Sequence, residues 1–112
     1  MRGSVVESRL LDLLEYRAVF GAVITTADGL LVANCATNLA DAEQLAATAV
    51  AVDRPKGDEP YYWDVESEHG AIRVVSGSDL CLIVLTEAGL DERQVRPTLT
   101  EHLQDIEHMI RT

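Results

Sequence analysis

The segment from residue 19 to residue 52 constrains the fold more than any other part of the chain. It opens with a strand pattern over 19–25 that is apolar on both faces, with Val19 and Val23 on one face and Phe20, Ala22 and Ile24 on the other. A strand that is apolar on both faces is typical of the middle of a sheet that is covered on both sides. The segment therefore predicts a layered fold with helices above and below one sheet.

The same segment ends in an alanine-rich helix pattern, with Asn38 or Asp41 as the predicted N-cap. One stripe at helical spacing consists of Ala42, Leu45, Ala46, Ala49 and Val50, and two more alanines, Ala47 and Ala51, widen it. A helix that is apolar nearly all round must be buried on two sides. A chain of 112 residues has little left to cover the second side, so the pattern predicts a partner.

The remaining periodicities predict the element order α-β-β-α-β-β-β-α. The predicted strands cover 19–25, 30–36, 61–66, 71–75 and 80–86, and Asp28-Gly29 supplies the first hairpin turn. The buried stripe of the first helix contains Val6, Leu10, Leu13 and Leu14, and that of the last helix contains Val95, Leu99, Leu103, Ile106 and Ile110. Pro97 is predicted to lie in the first turn of the last helix.

This order predicts an α/β sandwich built on one five-stranded, mainly antiparallel sheet. The first and last helices would share one face, and the alanine-rich helix would cover the other. We expect a single domain over 1–112. Residues 1–4 resemble an expression-vector leader and are expected to be disordered or derived from a tag.

Composition excludes several function classes. The formal net charge is −10, from 19 acidic and nine basic residues, which argues against binding nucleic acid or an anionic membrane surface. No apolar run is long enough to insert into a bilayer. Cys35 and Cys81 lie inside apolar strand patterns with no metal-type spacing, which is consistent with reduced thiols in the cytoplasm.

The sequence contains no motif that predicts a catalytic, cofactor or metal site. The only lysine, Lys56, precedes a lone glycine and forms no phosphate-binding loop. Glu101, Asp105 and His108 share one face of the last helix and could bind a metal, but the same residues are typical of a solvated helix face. The chain is therefore predicted to be a binding or regulatory module and not an enzyme.

The third predicted strand alternates Tyr61, Trp63 and Val65 with more polar residues. If this strand is a sheet edge, its backbone and its rings are candidates for contact with another chain. The alternative is that Tyr61 and Trp63 fill the core of the protomer.

The run 19–52 resembles the signature of the roadblock family, the dynein light chain roadblock-type domain, and the compact chain looks more like the bacterial members of that family. The residues that carry the resemblance are Gly21 in the first strand, the Asp28-Gly29 turn, the strand 30–36 and the alanine-rich helix 43–52. The later strand 80–86 and a terminal helix that begins near Gln94-Val95-Arg96 also match, so the resemblance covers roughly residues 5 to 110.

The resemblance implies a profilin-like sandwich that dimerises by pairing its second helices and joining its third strands. The expected interface residues are Glu43, Ala46, Ala47, Val50, Ala51, Tyr61, Tyr62, Trp63, Asp64 and Val65. It also implies a non-catalytic, homodimeric regulator or scaffold that binds a Ras-like small GTPase in a bacterial signalling or polarity system. The alternative is a profilin-like domain that senses a small molecule in a pocket between sheet and helix.

Overall fold

The computed structural model of the chain describes residues 2–35, 38, 41–44, 47 and 61–111. The elements are an N-terminal helix (Arg2–Leu13), β1 (Val19–Thr26), β2 (Leu31–Cys35), β3 (Tyr61–Ser67), β4 (Gly70–Ser76), β5 (Leu80–Thr86) and a C-terminal helix (Glu92–Arg111). Residues 41–44 and 47, between β2 and β3, are helical. The predicted order of helices and strands is confirmed.

The five strands form one sheet in the order β2-β1-β5-β4-β3, and every neighbouring pair is antiparallel. The β1–β2 hairpin turns at Gly29, which has a φ of 94°, a conformation that glycine adopts without steric strain. β5 lies in the centre and buries Leu82 and Val84 on one face and Cys81 and Ile83 on the other. Such a strand is stable only when both faces of the sheet are covered.

One face of the sheet is covered by the N-terminal and C-terminal helices together. Both helices direct their apolar stripes into a single core cluster with the sheet, and the stripe residues that are buried are Val6, Leu10, Leu13, Leu99, Leu103 and Ile106. The prediction that these two helices share a face is confirmed.

The described part of the alanine-rich segment, residues 41–44 and 47, lies on the opposite face. Its N-terminus is capped by Asn38, whose side-chain oxygen accepts the Asp41 N–H at 2.9 Å, while the Asn38 amide donates to the Asp41 carboxylate at 2.8 Å. One residue further on, Ala42 is fully buried in a second core cluster that includes Val23 and Ile83. This places the middle helix where it is predicted, with Asn38 as the N-cap.

The predicted faces are wrong at the start of β1. A register shift against β5 falls between Val19 and Gly21, so that one extra residue of β1 is accommodated as a bulge. Val19 therefore packs with the cluster beneath the two helices. Phe20, predicted on the same face as Ile24, instead lies beside Ile72 of the second cluster and is 52% exposed.

The predicted position of Pro97 is also wrong. The C-terminal helix begins at Glu92, and the Val95 N–H already donates to the Asp91 carbonyl, so Pro97 lies in the second turn. Pro97 has no N–H to donate to the Arg93 carbonyl one turn earlier. Both residues are exposed, and water can therefore satisfy that carbonyl.

A buried carboxylate joins the C-terminal helix to the turn between β4 and β5. Oε2 of Glu107 accepts hydrogen bonds from the backbone N–H of Asp79 at 2.7 Å and of Leu80 at 3.1 Å, and from the Ser78 hydroxyl at 3.3 Å. A Cβ at Gly77 would overlap the same carboxylate, which explains glycine at that position. The turn and the helix therefore depend on each other for their polar contacts.

We predict that Glu107→Ala lowers the free energy of unfolding by about 2 kcal/mol, because it leaves the buried N–H of Leu80 and the partly buried N–H of Asp79 without their acceptor. Glu101→Ala, on the exposed face of the same helix, should change it by less than about 0.5 kcal/mol. Urea unfolding followed by circular dichroism at one protein concentration measures both. Equal losses in the two variants would contradict the anchoring role of Glu107.

Candidate functional site

β3 is an edge strand of the sheet. Among the described residues it pairs with β4 alone, in continuous register from Tyr61↔Ser76 to Ser67↔Gly70. Trp63 packs against the second core cluster while remaining partly exposed, and Val65 is 58% exposed. Trp63 therefore contributes to the protomer core and also reaches its surface, and Val65 is left open to a partner.

An apolar groove lies on the sheet face that carries the alanine-rich segment. A depression of about 310 Å³ crosses β1, β5, β4 and β3, and we call it the apolar groove. Its apolar lining includes Phe20, Val65, Ile72 and Leu85. Phe20 enters this groove only because the β1 bulge turns it to this face. The groove extends the exposed apolar surface from the β3 edge inward across the sheet.

The described part of the alanine-rich segment has an inner and an outer side. Ala42 is fully buried against the sheet, whereas Glu43 and Ala47 are exposed and lie one turn apart on the helix. The expected interface residues Ala46, Val50 and Ala51 lie outside the described residues.

The polar side of β3 is built around a buried arginine. Arg73 of β4 lies opposite Asp64 and is 1% exposed. Its Nε donates to Thr86 Oγ1 at 2.8 Å, its Nη1 to Tyr62 Oη at 3.1 Å and to Asp64 Oδ2 at 2.9 Å, and its Nη2 to Glu66 Oε1 at 2.8 Å. We call these five residues the Arg73 cluster.

Two contacts connect the Arg73 cluster to the beginning of the C-terminal helix. The Gly89 N–H, three residues before that helix, donates to Glu66 Oε1 at 2.9 Å. The guanidinium carbon of Arg96 lies 5.9 Å from the centre of the Tyr62 ring, within the range of a cation–π contact. The edge strand is thus connected to the helix layer as well as to β4.

Burial and hydrogen bonding shift the ionisation of this cluster. Burial, followed by the hydrogen bond that the Tyr62 hydroxyl donates to Asp64 at 2.6 Å, raises the pKa of Tyr62 to about 12. Burial acts to lower the pKa of Arg73, but its hydrogen bonds to Tyr62 and Glu66 and the charge of Asp64 outweigh burial, and the pKa is raised. The tyrosine stays neutral and the arginine stays charged throughout the physiological range.

Sequence reasoning missed the Arg73 cluster. Tyr62 and Asp64 are predicted as interface residues. The structure places their side chains on the face covered by the N-terminal and C-terminal helices, where both are hydrogen-bonded to Arg73. Their backbone remains at the edge. The available signal was Arg73 itself, the single charged residue in the mainly apolar β4 sequence GAIRVVS.

The other candidate sites named from the sequence do not bring suitable side chains together among the described residues. Among the described residues no group of three or more potential ligands comes together for a metal, and Glu101, Asp105 and His108 are exposed. A pocket of about 210 Å³ between the sheet and the C-terminal helix is lined mainly by apolar side chains. It is smaller than typical ligand pockets. No helix in the described ranges is both long and apolar enough to cross a membrane.

Comparison with solved structures identifies the fold. A Roadblock/LC7 domain from Streptomyces avermitilis superposes with a TM-score of 0.79 at 18% identity, covering 95% of this chain and 98% of that one. A second Roadblock/LC7 domain structure from the same organism superposes with a TM-score of 0.70 at 25% identity, covering 89% of this chain and 96% of that one. No protein-family model matches the sequence, and no curated protein matches it significantly.

Each of the two similar structures matches most of the length of this chain and nearly all of its own length. Both are domains from a bacterium, and both superpose on this chain as single units. The chain therefore has the Roadblock/LC7 fold, and the resemblance to bacterial roadblock domains that its sequence indicates is confirmed at the level of the fold.

Proposed function

We propose that this chain is a non-catalytic, regulatory protein-interaction domain that forms a homodimer and docks a Ras-like small GTPase in a bacterial signalling or polarity system. The observation that carries the proposal is the β3 edge, where Val65 is 58% exposed beside the apolar groove. Exposed apolar surface at a sheet edge is typical of an interface with another chain. The interface comprises β3 and the alanine-rich segment.

The two edges of the sheet differ in their suitability for pairing. β2 has only five residues and a register shift where it pairs with β1 near Thr25. β3 has seven residues in uninterrupted register. Because a long, regular edge is the better template for strand addition, β3 is the edge at which a second copy joins the sheet.

The alanine-rich segment completes the proposed interface. Ala42 binds the segment to its own sheet, which leaves Ala47 and Glu43 on the outer side. Alanine side chains allow two helix backbones to approach closely. An interface of ordinary size buries about 1,200–2,000 Å² in total, and the proposed one combines the β3 edge with this helix. Within the proposal, Ala46, Val50 and Ala51 lie in the same contact.

The GTPase partner rests on the likeness to roadblock domains. The strongly acidic chain, with a net charge of −10, makes nucleic acid and anionic lipid poor partners and leaves a protein surface as the favoured one. The buried cysteines Cys35 and Cys81 are not joined by a disulfide, which fits a role in the cytoplasm. Within this proposal the domain spans 1–112, and the GTPase retains its own catalytic site.

We predict that Ala47→Glu converts the dimer to a monomer, because it places a charge in a dry contact between two helices. Gln104→Glu adds the same charge at an exposed position of the C-terminal helix and should leave the dimer intact. Light scattering coupled to size-exclusion chromatography measures both. A dimer that survives Ala47→Glu would exclude that helix from the interface.

We predict that Val65→Lys raises the dimer dissociation constant at least tenfold, because lysine on an edge opposes strand pairing. Leu11→Lys is the matched control: Leu11 is 54% exposed on the N-terminal helix, and the change should leave the constant within twofold. Sedimentation equilibrium gives both constants. Equal effects in the two variants would point to general surface charge and not to β3.

We predict that the tagged chain, used to capture proteins from the native cell, retains a small GTPase. The purified pair should bind in solution, and the intrinsic rate of GTP hydrolysis should change by less than about tenfold, whereas activating proteins change it by about 10³ to 10⁵. Capture with the Ala47→Glu variant tests whether docking requires the dimer. Absence of any GTPase with both nucleotide states tested would refute this partner.

A further inference from the structure

The hydrogen bonds of the Arg73 cluster constrain the position of the edge strand β3. Three alternate residues of β3, Tyr62, Asp64 and Glu66, all bind one guanidinium, and the same guanidinium also binds Thr86 of β5. Alternate residues of a strand are about 7 Å apart, so a single side chain of β4 holds most of the length of β3.

Buried charge makes this arrangement selective for one strand register. A one-residue slip of β3 would turn the three polar side chains to the groove face and bring Trp63 and Val65 beside the Arg73 guanidinium. An arginine that is 1% exposed would then lack its anionic partners, which is strongly destabilising. A two-residue slip is opposed by the short turn that directly joins Ser67 to Gly70.

The register of β3 determines what the edge presents to another chain. The side chains of Tyr62, Asp64 and Glu66 are hydrogen-bonded to Arg73. The intervening Trp63 and Val65 therefore face the side of the alanine-rich segment. The backbone groups that face away from β4 are determined by the same register. A second β3 strand can add in a single alignment only if the first is held in one register.

We propose that Arg73 is a positioning residue that holds β3 in the register at which a second copy pairs, an inference that rests on the dimer proposed above. The geometry also explains why arginine occupies this position. Its planar fork reaches acceptors on both sides of Asp64, whereas a lysine ammonium is a point donor that reaches fewer of them.

The same arrangement allows the fold to survive the loss of Arg73. The side chains of Asp64 and Glu66 are 28% and 42% exposed, so both carboxylates can be solvated when the guanidinium is removed. Methionine fills most of the arginine volume with apolar atoms, and replacing a buried ion by an apolar side chain of similar size is often tolerated. The expected loss is therefore concentrated in β3 and not spread over the whole sheet.

The test compares Arg73→Met and Arg73→Lys with Arg93→Met, which removes an exposed arginine paired with Asp91. Two quantities are measured: the dimer dissociation constant by sedimentation equilibrium, and amide hydrogen exchange in β3 relative to β1 and β5. Arg73→Met should raise the dissociation constant at least tenfold and accelerate β3 exchange at least tenfold, with β1 and β5 nearly unchanged. Arg73→Lys should give a smaller effect of the same kind, and Arg93→Met none.

A folded Arg73→Met variant with wild-type β3 exchange and a wild-type dissociation constant would overturn the proposal. If circular dichroism shows that this variant does not fold, Arg73→Lys decides by the same two measurements. A wild-type chain that remains monomeric would refute the proposed dimer and the pairing role with it. Hydrogen exchange in that monomer would still decide whether Arg73 holds the register of β3.

Discussion

Apolar side chains on both faces of the central strands are the constraint on which the rest of the structure depends. β5 buries Leu82 and Val84 under two helices and Cys81 and Ile83 on the opposite side. Neither face can be left in water, because each carries several side chains whose burial contributes about 1.5–3 kcal/mol apiece. The helices are therefore arranged around the sheet, and the edges of the sheet are the places where an additional chain can join it.

The face that carries the second cluster has exposed apolar side chains. On the other face the N-terminal and C-terminal helices form one continuous core with the sheet, while in the apolar groove Phe20 and Val65 are more than half exposed. These exposed side chains make the groove and the adjacent β3 edge the surface on which the proposed partner would bind. The alanine-rich segment, buried at Ala42 and exposed at Ala47, lies on the same face.

The sequence predicts features that repeat along the chain and misses features that depend on distant pairing. Periodic apolar residues were sufficient to assign the element order and the helix faces. The side to which Phe20 points depends on a bulge that exists only in the pairing of β1 with β5. Glu107 binds a turn 28 residues earlier, and Arg73 finds its acceptors on a neighbouring strand, so neither role leaves a local pattern. For Arg73 and Glu107 the available signal was a single charged residue, in a mainly apolar strand for Arg73 and on the inward face of the helix for Glu107.

The dimer proposed for this chain is opposed by the chain's own negative charge. Two protomers that each carry a net charge of −10 repel one another, and a dimer joined at β3 would bring Asp64 and Glu66 of each copy close together. Arg73 lies directly beneath both carboxylates and offsets their charge within the protomer. The same guanidinium holds the two carboxylates on the face covered by the N-terminal and C-terminal helices, so the apolar side chains of β3 face the groove. In the proposed dimer, one buried arginine would thus reduce the electrostatic opposition to pairing and leave the hydrophobic contact to stabilise it.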